Sequence, residues 1–517
     1  MNLLASLVIH TANILGIFSD PFEFEGDYGP EVNPIRKQVF ELVVSREALM
    51  KNLSDSEIKN LIGNDTANTQ VINAYRKFLV IQAIQDEINY GPTLGEVATL
   101  ELLNEIRAKQ QEMGYSDADL ELILHFLAKY NDKKIFHFLR NNPPALLNLD
   151  KTLRDKAARE GKPFDLPILG STQILEGSTC EELKRNLLHA VFTKENHDLA
   201  KSPKSIKQAL RKLDKNYLKE YFGGDADNQD LDAFCSHLGQ VFFFWLSHSL
   251  NLDLVSANPE MIAQINQVKD VFIHTLGDPV SRAETLKSHL LDAGCGILFT
   301  QECDTIVPLK LMDEGLFHHV DSQNLKDGTL IILRSDVWEA DYDVIPINDY
   351  DGAQSGRMNV ILATKKDDGQ RFLLASCHGN ATNPEDGRLQ ISLVMEKFHQ
   401  LNDGNLQVLI GIDANTKTDE DVELFMEHLD LLHLTCTQAG PTTIKKRMVT
   451  AQNSKSGRFA IDEEDYLITL KPEAGGRYTF SHVTVGFKEE RANINQPLPN
   501  IHNPSDHYPV GAVLFPL

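Results

Sequence analysis

The sequence predicts an α/β or α+β catalytic domain accompanied by an all-α region, and three observations predict it. From about residue 33 to about residue 254, apolar residues recur at helical spacing. After about residue 255 the texture changes to short β-rich apolar runs separated by Gly, Asp and Asn turns, with helical stretches between them. Carboxylates, amides and imidazoles stand just past the ends of those runs, where a buried strand gives way to the rim of a sheet. At 517 residues the chain is also longer than a single core usually grows, which favours more than one domain.

The elements follow in order. Residues 3–18 form an apolar run without a basic leader and with His10, Thr11 and Asn13 inside it, which reads as a strand and not as a signal peptide. Helical periodicity is plain in Val39, Leu42, Val43 and Leu49, and again in Leu120, Leu122, Ile123, Phe126 and Leu127. Ser54 and Ser116, each followed by acidic residues, are expected helix N-caps. Pro143-Pro144 and residues 161–167 break the pattern into shorter helices. The apolar run 241–254 is cut by His248, Ser249, Asn251 and Asp253, well short of the ~20 residues a membrane span needs. Strands are expected at 297–299, 329–333, 359–364, 372–376, 407–412, 466–470 and 509–515, and helices at 281–293, 388–401 and 419–429.

Composition excludes some functions. With 50 Lys+Arg against 74 Asp+Glu the formal charge is −24, and binding to duplex nucleic acid needs cations that neutralise phosphates, so duplex DNA is an unlikely partner. The six cysteines lie singly, with neither a Cys-x-x-Cys pair nor a dense disulfide pattern, and read as reduced thiols of a cytoplasmic protein. Delivery into another cell by a specialised secretion system is the other route compatible with a missing leader.

Four places carry chemistry. Glu302 sits just past the run 297–299, and hard cations such as Mg²⁺ are often held by one or two carboxylates plus water and substrate phosphate. Asp413 and Asn415 follow another run, spaced so that both would share one face if the strand continued: an acceptor for water and a neutral donor for charge on phosphate oxygens. Asp506-His507 couples a metal-type carboxylate to an imidazole suited to proton transfer or phosphate binding. His378 ends the run 372–376 and Asp465 begins the run 466–470. Alone, each of these motifs is commonly a turn or a strand end; together they supply the parts of a metal-assisted phosphoester site.

The succession Gln301-Glu302, His378, Gly411-Ile412-Asp413-Ala414-Asn415, Asp465-Tyr466 and Ser505-Asp506-His507 resembles the endonuclease/exonuclease/phosphatase superfamily. Thr11-Ala12-Asn13-Ile14-Leu15-Gly16 looks like that family's first strand, with Ala12 where an aromatic is common; a rival first strand at 271–275 lacks the Asn. The resemblance implies a two-sheet β-sandwich flanked by helices, a four-layer fold with an all-α region added. Residues 1–30 would hold its first strand, 31–255 a helical insertion or accessory domain, and 256–517 the remainder. It further implies that Glu302 and Asp506 hold Mg²⁺ or Mn²⁺ with Asn13 in support. His507 would act as base or phosphate ligand oriented by Asp465. Asp413 would position or activate water, Asn415 would stabilise the phosphorane and His378 would contact phosphate or assist the leaving group.

Residues 256–517 carry 22 Lys+Arg and 38 Asp+Glu, yet the stretch between Asp430 and Asp462 has no acid and contains Lys445, Lys446, Arg447, Lys455 and Arg458. It reads as a basic loop able to meet substrate phosphates, or equally as a solvated loop balancing acidic neighbours. Single-stranded RNA or another oligonucleotide diester is the expected substrate. A phosphoinositide or inositol phosphate, or a phospholipase-type diester, is the alternative. Outside enzymology, the acidic helical region could be a protein-interaction module for which the phosphoesterase domain is a scaffold.

Overall fold

The computed structural model describes residues 6–13, 21–22, 26–43, 46–51, 53–89, 91–114, 116–135, 166–200, 227–276, 279–302, 316–321, 328–346, 357–446, 459–486, 498 and 505–517. Its strands are β1 (Leu7–Asn13), β2 (Ile297–Gln301), β3 (Phe317–Asp321), β4 (Leu330–Arg334), β5 (Asp343–Val344), β6 (Met358–Thr364), β7 (Arg371–His378), β8 (Leu406–Asp413), β9 (Leu434–Cys436), β10 (Thr443–Lys446), β11 (Phe459–Asp462), β12 (Asp465–Leu470), β13 (Tyr478–Val485) and β14 (Val510–Pro516). One six-stranded sheet has the order β13-β14-β1-β2-β4-β3, the other β5-β6-β7-β8-β12-β9, and β10-β11 form a separate two-stranded ribbon.

Alternation along the strands decides the layers. In β2, Ile297 and Phe299 face the second sheet and join Leu374, Leu409 and Leu467 in one core, whereas Leu298 faces outward to a cluster with Ile332 and Leu286 of the helix Pro279–Asp292. The second sheet repeats the pattern: Leu373, Val408, Ile410 and Ile468 turn away from the first sheet to pack on Ile391, Val394 and Phe398 of the helix Glu385–Leu401 and on Phe425 and Leu429 of the helix Asp419–Leu431. Both sheets are thus covered on both faces, which is why their strands read as near-continuous apolar runs. The result is the four-layer sandwich, helix on sheet on sheet on helix.

The all-α region has a core of its own, running in sequence from Phe22 to Leu276 and centred on Phe242, Phe243, Phe244 and Trp245 of the helix His237–Ser256. That helix contains the apolar run 241–254, so its hydrophobicity serves burial; no helix among the described residues is long and apolar enough to cross a membrane. Chain connectivity explains the arrangement of the parts. β1 pairs in parallel with β2, from Ile9↔Ile297 to Asn13↔Gln301, and antiparallel with β14, so the helices lie in sequence between two adjacent strands of one sheet.

Several expectations change. Residues 271–275, the rival first strand, end the helix Pro259–His274. Ser54 caps its helix with a full capping box to Glu57, but Ser116 does not cap: the helix Ala118–Lys129 starts after Asp117, and the Ser116 carbonyl instead accepts a hydrogen bond from Gln110 Nε2 at 2.8 Å. The basic segment expected as a loop begins and ends as the ribbon β10-β11, in register from Thr443↔Asp462 to Lys446↔Phe459. Strands β3, β5, β9 and β13 were not expected. β5 and β9 are two and three residues long, and β3 and β13 mix His, Ser or Thr into their apolar runs, so neither length nor alternation marks them.

Two features hold the sheets at close quarters beneath the rim. Gln301 Nε2 donates to Thr11 Oγ1 at 3.2 Å within its own sheet and to Ser376 Oγ at 3.2 Å across to β7, while Ser376 Oγ donates back to the Thr300 carbonyl at 2.9 Å. Beside them, a Cβ on Gly411 would stand 2.4 Å from Cβ of Phe299. Gly411→Ala should therefore destabilise the protein by about 1–3 kcal/mol through overpacking, read as a lower melting temperature; an unchanged melting temperature would contradict this close approach.

Candidate active site

Strand direction brings the motifs together. The parallel pairs β1/β2 and β7/β8 end at one rim with Asn13, Gln301, His378 and Asp413, and β12, antiparallel to β8, starts there with Asp465 opposite Asp413. β14, antiparallel to β1, also begins at that rim, with Val510 opposite Thr11, just after Asp506 and His507. Residues separated by more than 200 positions in sequence are therefore neighbours.

Glu302 follows β2 with φ 55°, a left-handed conformation that costs a non-glycine residue roughly 1–2 kcal/mol and turns its carboxylate off the strand path. His378 Nε2 stands between two carboxylates, 3.7 Å from Glu302 Oε1 and 3.7 Å from Asp413 Oδ2. The helix Glu385–Leu401 fixes the end of β7: Gln390 Nε2 donates to the His378 carbonyl at 2.8 Å and to Asp386 Oδ2 at 2.9 Å, and the His378 N–H donates to Gln390 Oε1 at 3.1 Å. Burial pushes the Asp386 carboxyl above the usual range, against the pull of Arg357.

Asp413 and Asn415 meet, but not by strand alternation. β8 ends at Asp413, and Asn415 takes φ 54°, a conformation Asn tolerates. The turn lets the Asn415 N–H donate to Asp413 Oδ1 at 2.9 Å and its Nδ2 donate to the Gly379 carbonyl at 3.1 Å. Asp413 Oδ2 lies 3.7 Å from His378 Nε2 and 3.8 Å from His507 Nε2.

His507 is held from its other side. Its Nδ1 lies 2.8 Å from Asp465 Oδ2, a hydrogen bond that places a proton on Nδ1 and directs Nε2 into the cluster. Around Nε2 lie Asp413 Oδ2, Asp506 Oδ1 at 4.0 Å and Glu464 Oε2 at 3.6 Å. Asp465 is fully buried; its burial raises the carboxyl above the ordinary Asp value, opposed by the charge and hydrogen bond of His507.

The placement of each expected residue is then plain. Glu302, His378, Asp413, Asn415, Asp465, Asp506 and His507 share one cluster. Asn13 ends β1 at the same rim, opposite Gln301; its side chain lies outside the described residues. Lys445 and Lys446 belong to β10, whose root touches the cluster: Thr443 bridges to His507, the Tyr508 N–H donates to the Thr442 carbonyl at 2.7 Å, and Thr442 Oγ1 accepts from the Glu464 and Asp465 N–H groups. Arg447, Lys455 and Arg458 lie outside the described residues.

Sequence reading missed Glu464 and the Asp386–Gln390 support. Glu464 is hidden in the run Asp462-Glu463-Glu464-Asp465, which looks solvated, and only its burial sets it apart. Asp386 and Gln390 had a readable signal: two polar residues four apart on the face that also carries Ile391 and Val394.

A divalent cation fits this donor set. Five carboxylates, Glu302, Asp413, Glu464, Asp465 and Asp506, surround two imidazoles, so the negative charge exceeds what two imidazolium ions could balance. Its carboxylate oxygens suit Mg²⁺ or Mn²⁺. Asp465 Oδ1 and His378 Nδ1 are buried without a hydrogen-bond partner among the described residues.

No protein-family model and no curated protein matches the chain. Solved structures are similar to it. TDP2 from D. rerio, in complex with a single-strand DNA product, is 15% identical and aligns over 45% of this chain and 91% of its own, with a TM-score of 0.35. A mannosyl-6-phosphatase from Bacteroides thetaiotaomicron is 19% identical over 45% of this chain and 90% of its own, with a TM-score of 0.33. The human Nocturnin catalytic domain with bound sulfate is 15% identical over 45% of this chain and 85% of its own, with a TM-score of 0.31. At these scores the chemistry rests on the strand order and side chains of the chain itself.

Asp465→Asn should lower kcat by about 10²-fold or more by releasing the orientation of His507. It should leave the melting temperature near that of wild type, because loss of the charge partner of His507 is offset by relief of repulsion among the crowded carboxylates. A fall in melting temperature with kcat intact would make Asp465 a structural residue only.

Proposed function

We propose that this chain is a divalent-metal-dependent phosphoester hydrolase of the endonuclease/exonuclease/phosphatase type, with helices 31–255 inserted between the first two strands of its catalytic sheet. The observation that carries the reading is the His507–Asp465 pair facing Asp413, with Glu302 across the cluster on the far side of His378.

In this reading Glu302 and Asp506 hold the cation, supported by Asn13 at the end of β1. Bound there, Mg²⁺ or Mn²⁺ would draw in the phosphate and offset charge building on its oxygens. Asp413, held through Oδ1 by the Asn415 N–H, would position the attacking water and take its proton. His507, with Nδ1–H engaged by Asp465, directs Nε2 toward a phosphate oxygen. The Asn415 amide has one N–H on the Gly379 carbonyl, and its second is left to donate to the pentacovalent phosphate. His378 Nε2, between Glu302 and Asp413, is placed to contact phosphate or the leaving oxygen.

The proposed substrate is a short or single-stranded oligonucleotide diester, RNA first. Support comes from the acid-free basic segment with Lys445, Lys446, Arg447, Lys455 and Arg458, whose first strand β10 adjoins the cluster through the Thr443–His507 bridge. Duplex DNA should be a poor substrate, because the −24 charge of the chain repels a long polyanion.

Hydrolysis assayed on oligo(A) RNA, single- and double-stranded DNA, a phosphoinositide and sphingomyelin should require Mg²⁺ or Mn²⁺ and stop on chelation. Asp413→Ala and His507→Ala should each reduce turnover at least ~10²-fold with the fold intact; full activity in both variants excludes the mechanism. The Lys446→Ala/Arg447→Ala double variant should raise KM more than it lowers kcat, since charges remote from phosphorus act alike on ground and transition states. An unchanged KM at low salt, where exposed charges act most strongly, returns the ribbon to a solvated element.

A further inference from the structure

The ribbon β10-β11 meets the site at both of its roots, and one residue joins them. β11 ends at Asp462 and β12 begins at Asp465, so only Glu463 and Glu464 separate the ribbon from the carboxylate that holds His507. At the other root β10 begins with Thr443, which bridges to His507 itself. Thr442 stands between the two. Its N–H donates to the Asp462 carbonyl at 2.9 Å, its carbonyl accepts the Tyr508 N–H at 2.7 Å, and its Oγ1 accepts the N–H groups of Glu464 at 3.0 Å and Asp465 at 3.2 Å. Thr442 and Asp465 are fully buried, and His507 and Tyr508 nearly so.

The short connection is held at each step. The Glu463 carbonyl accepts from the Thr416 hydroxyl at 2.6 Å and from the Tyr466 hydroxyl at 2.9 Å, and the Glu464 carbonyl accepts the Ala414 N–H at 2.7 Å. A hydroxyl oxygen has two lone pairs, and the two N–H groups take both of those on Thr442. Without that oxygen two buried backbone donors lose their acceptor, which a folded chain relieves by moving. The movement falls on the first residue of β12, Asp465, whose side chain sets the direction of the His507 ring. The hydroxyl bears on the carboxyl as well: burial raises the Asp465 carboxyl, His507 opposes that rise most strongly, and the Thr442 side chain adds to the opposition.

We propose that Thr442 is a positioning residue for the Asp465–His507 pair, its hydroxyl fixing Asp465 from one side and its carbonyl fixing Tyr508, the neighbour of His507, from the other. This inference rests on the metal-dependent hydrolase reading and extends it. It divides the ribbon by function: the root acts on turnover through the pair, whereas the basic residues farther along act on binding.

The test uses the full chain and oligo(A) RNA with Mg²⁺. Thr442→Val keeps the branched shape and removes the hydroxyl; it should lower kcat at least ~10-fold while KM stays within about 2-fold of wild type. Thr442→Cys, whose sulfur accepts only weakly, should fall in the same direction and gives the reading if the Val variant does not fold. Thr442→Ser, which restores the oxygen, should return kcat to within about 3-fold of wild type. On an Asp465→Asn background Thr442→Val should add less than about 2-fold, because the two act as a unit. A readout independent of substrate is the downfield proton resonance of His507 Nδ1–H, identified by its loss in His507→Ala: Thr442→Ser should keep it and Thr442→Val and Thr442→Cys should shift or lose it. Circular dichroism establishes that each variant is folded. Wild-type kcat and an unmoved resonance in Thr442→Val or Thr442→Cys, or a full multiplicative loss on the Asp465→Asn background, overturns the positioning role and leaves the hydrolase reading standing. Wild-type protein that hydrolyses no phosphoester with Mg²⁺ or Mn²⁺ overturns the hydrolase reading, and the resonance then decides whether Thr442 holds the pair.

Discussion

Crowding of like charge at one rim is the constraint from which the rest of the structure follows. Asp413, Glu464, Asp465 and Asp506 are almost wholly buried within reach of one imidazole. Bringing such groups together opposes folding, because each carboxylate loses water and repels the others. The scaffold is correspondingly rigid there. Two fully covered sheets, a Gln301–Ser376 link between them and a glycine that lets β8 approach Phe299 fix the strand ends from which the carboxylates project. On the metal-dependent reading, a bound cation would return the stability that the cluster withholds, and metal affinity and fold stability would be linked.

The sheet is closed by a strand that sequence order would not place there. β1 contributes Asn13 to the rim and supplies the edges for β2 and β14, although β2 begins at Ile297. Inserting helices between adjacent strands is tolerated when both ends of the insertion lie near each other in space, and parallel neighbours β1 and β2 need a crossover in any case. The helical core is built on an apolar helix of its own, and β1 and β2 pair side by side although the helices lie between them in sequence.

Much of this was legible in the sequence, for physical reasons that can be named. Strands buried on both faces must be apolar throughout, so Leu330–Arg334, Leu406–Asp413 and Asp465–Leu470 announce themselves, and the polar residues at their ends mark the rim. Convergence of Glu302, Asp413 and His507 was readable from their places at the ends of apolar runs and from their shared resemblance to a known pattern, since spacing along the chain contains no such information. What stayed hidden depends on tertiary context: the burial of Glu464 inside an acidic run, and the left-handed turn at Asn415 that replaces strand alternation. The basic stretch looked like a loop because its ribbon is short and carries Lys where a core strand would be apolar.

The central claim is that these side chains form one metal-binding phosphoester site. Diffraction from crystals soaked in Mn²⁺ and inorganic phosphate, collected at the manganese absorption edge, tests it most directly. The account predicts anomalous density at the carboxylates of Glu302 and Asp506, with phosphate oxygens within reach of His507 Nε2 and Asn415 Nδ2. Ordered Mn²⁺ and phosphate elsewhere on the molecule, with this cluster bare, would contradict it.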